Sequence, residues 1–120
     1  MSRRVLAVVP DLFFATKIAA TAKAVSVTLE LVSLAGALDA CAANPPDLLL
    51  LDLHAPGDPH SLVRALKADA HTAEVPVCGF FSHVEIQRRD GALAAGIDVA
   101  LPRSAFVNRL PALLLHGLGA

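Results

Sequence analysis

A chain of 120 residues, 55% of them hydrophobic, has the length of one domain and enough apolar side chain to bury a core without staples. A formal charge of -1 gives no electrostatic basis for binding nucleic acid or an anionic membrane. Only two cysteines occur, Cys41 and Cys78, in unlike contexts. They read as small core thiols in a reducing compartment, not as a disulfide framework or a zinc site.

Arg3-Arg4 followed by Val5 to Val9 resembles the start of a signal peptide, but the apolar run stops at Pro10-Asp11. It is shorter than a secretory hydrophobic region, and no stretch approaches the length of a membrane span. A cytoplasmic protein is the expectation. Arg4 to Val9 is a first strand. Asp11 is placed to cap the helix after it, where Phe14, Ile18, Ala22 and Val25 recur at helical spacing. Val27, Leu29 and Leu31 alternate with Thr28, Glu30 and Val32, which suits a less buried edge strand. A short helix over Leu34 to Ala43 ends before Asn44-Pro45-Pro46, because the prolines forbid its continuation.

Asp47 to Leu53 is the third strand, and its four consecutive leucines fit a strand buried on both faces of a sheet. The loop from His54 to Pro59 is dense in turn residues, and the helix after it turns Leu62, Val63 and Leu66 inward. Val75 to Phe81 is the fourth strand. Val84 to Ala95 is the fourth helix, closed by Gly96 as a left-handed cap. Ile97 to Leu101 is the fifth strand, at an edge of the sheet. Ser104 is placed to cap the last helix, whose inner face offers Val107, Leu110 and Leu114, with a kink expected at Pro111. This alternation predicts a parallel sheet with helices on both faces, in one domain over residues 1–120.

Asp52 is the most informative residue, because a carboxylate ending a strand buried on both faces costs free energy unless charge, metal or water meets it. In an open α/β sheet that end is also where ligand crevices form. The plainer alternative is that Asp52 caps a loop or the next helix.

The segment Pro46 to Gly57 around Asp52 resembles the phosphoacceptor stretch of bacterial response regulator receiver domains. Val75-Pro76-Val77 is similar to the start of that family's fourth strand, and Ala94 to Asp98 to its lead into the fifth. Leu101 to Phe106 stands where the family has its Lys-Pro-Phe ending. The resemblance spans nearly the whole chain and implies a flavodoxin-like (βα)5 three-layer sandwich with strand order 2-1-3-4-5. It implies a non-enzymatic signalling module in two-component phosphorelay, with Asp52 as phosphoacceptor. Magnesium would be held weakly by Asp11, Asp52 and the His54 backbone carbonyl, and Arg103 and Ser82 would contact the phosphoryl group. Phosphorylation of Ser, Thr or Tyr adds about 1.5–2 negative charges near neutral pH, and an aspartyl phosphate should act similarly on a surface that a partner reads. The implied partners are a histidine kinase or another signalling protein, or a second copy docked through the fourth helix, fifth strand and fifth helix.

Several site residues depart from the family's pattern. Pro10 takes the first of two places usually held by acids, leaving Asp11 in the second. Phe81 takes the place of a Thr or Ser hydroxyl, with Ser82 one residue later. Arg103 replaces a lysine, and Pro102 precedes it where a proline usually follows. Ala100 replaces a switching aromatic. The expectation is therefore an atypical receiver. Its alternative is a phosphorylation-independent docking or dimerisation module with Phe81 filling the pocket. Two imidazoles, His54 and His83, with Asp11 and Asp52 would make a transition-metal set of no recognised spacing. His60, His71 and His116 read as surface or helix-end residues. No dinucleotide fingerprint, phosphate loop or nucleophile elbow is present.

Overall fold

The structure, a computed structural model, describes residues 3–82 and 85–119. Strand β1 (Arg4–Val8) leads to α1 (Leu12–Ala24), β2 (Thr28–Leu31) to α2 (Leu34–Ala43) and β3 (Leu48–Asp52) to α3 (Pro59–Ala68). Then come β4 (Val77–Phe81), α4 (Ile86–Ala95), β5 (Val99–Pro102) and α5 (Arg103–His116), with a short 3-10 turn over Gly117–Gly119. The strands form one parallel sheet in the order β2-β1-β3-β4-β5. This is the flavodoxin-like topology that the family resemblance implies.

The leucine run explains the layering. Successive side chains on a strand point to opposite faces. Leu49 and Leu51 therefore pack with Ala37 and Cys41 of α2, Leu62 and Leu66 of α3 and Ala92 of α4. Leu48 and Leu50 pack on the other face with Phe14 and Ile18 of α1 and Phe106 and Leu110 of α5. All four leucines are fully buried, so the strand is apolar throughout until Asp52. At the sheet's edge β2 is mostly exposed, as its alternation predicts. Cys41 and Cys78 are buried free thiols, one in each core.

Three local expectations are corrected. Ser104 does not cap α5: β5 runs into the helix with no loop, so Arg103 is already helical and Pro102 stands at the cap without a side-chain acceptor. The inner face of α5 is consequently led by Phe106, with Leu110, Leu113 and Leu114, while Val107 is only half-buried. Strand β4 begins at Val77, since Pro76 has no N–H for a ladder and contributes only its carbonyl, which accepts from Leu49 N–H at 2.9 Å. The expected start of the fourth helix at Val84 lies outside the described residues. Gly96 does close that helix, with φ +103°.

Candidate functional site

The C-terminal ends of β1, β3 and β4 and the start of α5 meet at one mouth. A cavity of about 240 Å³ opens there, lined by Asp52, His54, Phe80, Phe81, Ser82, Glu85 and Arg103. Asp52 is half-buried at the tip of β3, and its Oδ1 accepts from the His54 backbone N–H at 2.8 Å. The loop thus folds back on the carboxylate. Both the cavity and the loop-capping role weighed for Asp52 are present.

Asp11 caps α1. Its Oδ1 accepts from the N–H groups of Phe13 and Phe14 at 3.0 and 3.2 Å, and its Oδ2 lies 3.5 Å from Arg103 Nη2. The Phe14 amide bond chiefly holds this carboxyl below the usual range, helped by Arg103. Arg103 in turn lies over the Phe14 ring, 3.9 Å from guanidinium carbon to ring centroid. Beneath it Phe14, Phe80 and Phe106 form an aromatic cluster, with Phe80 and Phe106 stacked at 4.6 Å. This platform fixes where the guanidinium can go. The sequence signals it only in part: Phe14 sits on the predicted inner face of its helix, but no local pattern marks Phe80 and Phe106 as its partners.

Phe81 is 1% exposed and belongs to the core on the α2–α3–α4 side. It walls the cavity and leaves space beside Asp52, so it does not fill the pocket; Ser82 joins the lining. His54 does more than its sequence position announces. Its Nε2 accepts from the Ser82 N–H at 2.8 Å, and its Nδ1 lies 3.8 Å from the Glu85 carboxylate. Glu85 is paired with Arg88, whose hydrogen bond chiefly lowers the Glu85 carboxyl's pKa, and Arg88 Nη1 donates to Leu53 O at 3.0 Å. His60 is a helix-end residue, the second of α3, and is half-buried there: its Nε2 lies 3.1 Å from Arg88 O, and its ring packs against Gly91.

Among the described residues no group of three or more His, Cys, Asp or Glu is arranged to hold a metal ion. His83, the fourth member of the transition-metal set, lies outside those residues. Asp52 and Glu85 are the carboxylates that line the cavity, while Asp11 stands outside the lining and is already engaged by two amides and Arg103. No helix among the described residues is long and apolar enough to cross a membrane.

Solved receiver domains, from a sensor histidine kinase and from response regulators, share this fold. The receiver domain of a sensor histidine kinase from Pseudomonas aeruginosa, crystallised with magnesium in its active-site cleft, superposes with a TM-score of 0.81 at 21% identity, over 95% of this chain and 98% of that one. A response regulator receiver domain from Bermanella marisrubri gives 0.77 at 22% identity, over 94% and 98%. A phosphorylated cyanobacterial phytochrome response regulator gives 0.73 at 19%, over 95% and 89%. No protein-family model and no curated protein matches the chain.

Proposed function

We propose that this chain is an atypical receiver module of two-component signalling that takes a phosphoryl group on Asp52. The observation that supports it most is the open cavity in which Asp52, Ser82 and Arg103 share one mouth. A carboxylate oxygen of Asp52 would attack phosphorus as the bond to the donor's leaving group breaks. Arg103 is the cation at hand for the new oxygens, and its planar fork suits phosphate. Ser82 is the hydroxyl at the mouth in place of the one Phe81 cannot supply.

Magnesium, which a structural neighbour holds in its cleft, would supply charge neutralisation. Asp52 and the His54 backbone carbonyl are the candidate donors. Asp11 joins them only by turning Oδ2 away from Arg103. Such a set fits a weakly held ion that keeps most of its water, since magnesium is often bound by one or two carboxylates.

The donor would be a histidine kinase or another signalling protein, and cytoplasmic placement goes with that role. Output would be by protein contact, through the α4–β5–α5 face or by pairing of two copies on it. That face carries the half-exposed Leu93. A phosphorylation-independent docking module is the alternative, favoured by Phe81 in the hydroxyl's place and by Asp11 being consumed as a helix cap. Transfer of labelled phosphate from acetyl phosphate with magnesium decides between them. Incorporation lost in Asp52→Asn is expected. No incorporation, or incorporation indifferent to that substitution, would eliminate the phosphoacceptor role.

A further inference from the structure

Among the described residues, two backbone amides donate to side chains that line the Asp52 cavity. The His54 N–H holds Asp52 Oδ1, and the Ser82 N–H holds His54 Nε2, each at 2.8 Å. The imidazole therefore ties the loop after β3 to the end of β4. Because Nε2 accepts, the neutral ring carries its proton on Nδ1, on the side of Glu85. From Glu85 the connections pass to Arg88 and from Arg88 back to Leu53 O. Glu85 is the cap residue of α4 and Arg88 lies in its first turn, so the circuit joins the mouth to that helix.

We infer that His54 is a latch on the Ser82 amide: an oxyanion on Asp52 competes with the imidazole for that donor, and displacing the ring releases the first turn of α4. The inference rests on the proposed role of Asp52 and concerns the regulation of that site. One N–H serves one acceptor well, and a charged oxygen is a stronger acceptor than a neutral ring nitrogen. The exchange therefore runs toward the anion once it is present. When the ring leaves, Glu85 loses the Nδ1–H that faces it, and the Glu85–Arg88 pair is free to rearrange. In this chain Phe81 and Ala100 stand where the resembling family places its hydroxyl and aromatic. The latch supplies a different physical link between the mouth and α4, through two arrangements set by which acceptor holds the Ser82 amide.

The test uses the whole chain, isotopically labelled, with beryllofluoride and magnesium as the phosphoryl mimic. In the free protein, nuclear magnetic resonance should detect scalar coupling across the hydrogen bond from the Ser82 amide nitrogen to His54 Nε2. Loading should abolish it and shift the amides of Glu85 to Arg88. His54→Ala should bind beryllofluoride about five- to tenfold more tightly, the equivalent of one neutral hydrogen bond no longer competing. A coupling that survives loading, or a His54→Ala protein that binds no more tightly than the parent, overturns the latch while leaving Asp52 as acceptor. Failure of both proteins to bind overturns the acceptor role itself, and the latch with it.

Discussion

Replacing Arg103 by methionine should separate function from stability. The guanidinium contributes to the fold in two ways: it lies 3.9 Å from the Phe14 ring centroid, and it pairs with Asp11 at 3.5 Å. The side chain is 48% exposed, so solvent screens the ion pair. A cation over a ring at such a site is worth about 0.5–1 kcal/mol. Methionine restores part of that by laying its thioether on the same ring. The net loss should be under about 1 kcal/mol, a fall of a few degrees in melting temperature. The phosphoryl group loses far more. A hydrogen bond to a charged group is worth about 1.5–3 kcal/mol, so the extent of labelling by acetyl phosphate should fall about ten- to a hundredfold. Arg103→Lys should fall between the two, keeping charge without the fork. Urea titration and phosphate incorporation on the same preparations make the comparison. Labelling equal to the parent would refute the phosphate contact. A stability loss above about 3 kcal/mol would refute the claim that Arg103 rests on the aromatic platform without bearing the core.

Gly79→Ala should destabilise by about 1–3 kcal/mol in urea, because overpacking forces neighbours off their rotamers. A Cβ there would meet Ile97 Cδ1 at 2.8 Å and Leu53 Cγ at 3.1 Å; an unchanged midpoint would show that the core under the mouth yields freely. Acid should weaken the fold through Asp11, Asp58 and Glu85, whose carboxyls are lowered chiefly by the Phe14 amide, the Ser61 side chain and Arg88. Lowered folded values give stability that is fully present above the unfolded pKa and lost as pH falls through the folded one. The urea midpoint should therefore decline as pH falls through and below the usual carboxylate range, and a flat profile would contradict the assignments. Burial pushes the Cys78 thiol up to about 12. It should resist alkylation at pH about 8 while native and react in urea, and rapid labelling of the native protein would contradict its burial.

How much of this protein the sequence specifies depends on the range of the interaction. Hydrophobic periodicity is local, so the leucine run, the alternation of β2 and the spacing of Phe14, Ile18 and Ala22 were enough to place elements and layers. Proline and glycine act on their own backbone, so the stop after Ala43 and the left-handed turn at Gly96 were legible too. The cap of α5 is not legible for the opposite reason. Whether a loop separates β5 from α5 depends on where the strand's pairing with β4 ends, and that pairing reaches Pro102.

The mouth follows the same division. That Arg103 would stand near the ends of β1 and β3, beside Asp11 and on the cavity with Asp52, follows from parallel strands ending on one side, and the sequence indicates as much. What each carboxylate and ring does there is settled by contacts between residues far apart in the chain. Arg103 meets Asp11 across 92 positions and Ser82 meets His54 across 28. No local pattern encodes such pairs, because each side chain's choice of partner is made only after the sheet has brought competing donors and acceptors within reach. The fold is therefore written along the chain, while the occupation of Asp11 as a helix cap, the aromatic seat of Arg103 and the link through His54 are decided by tertiary structure.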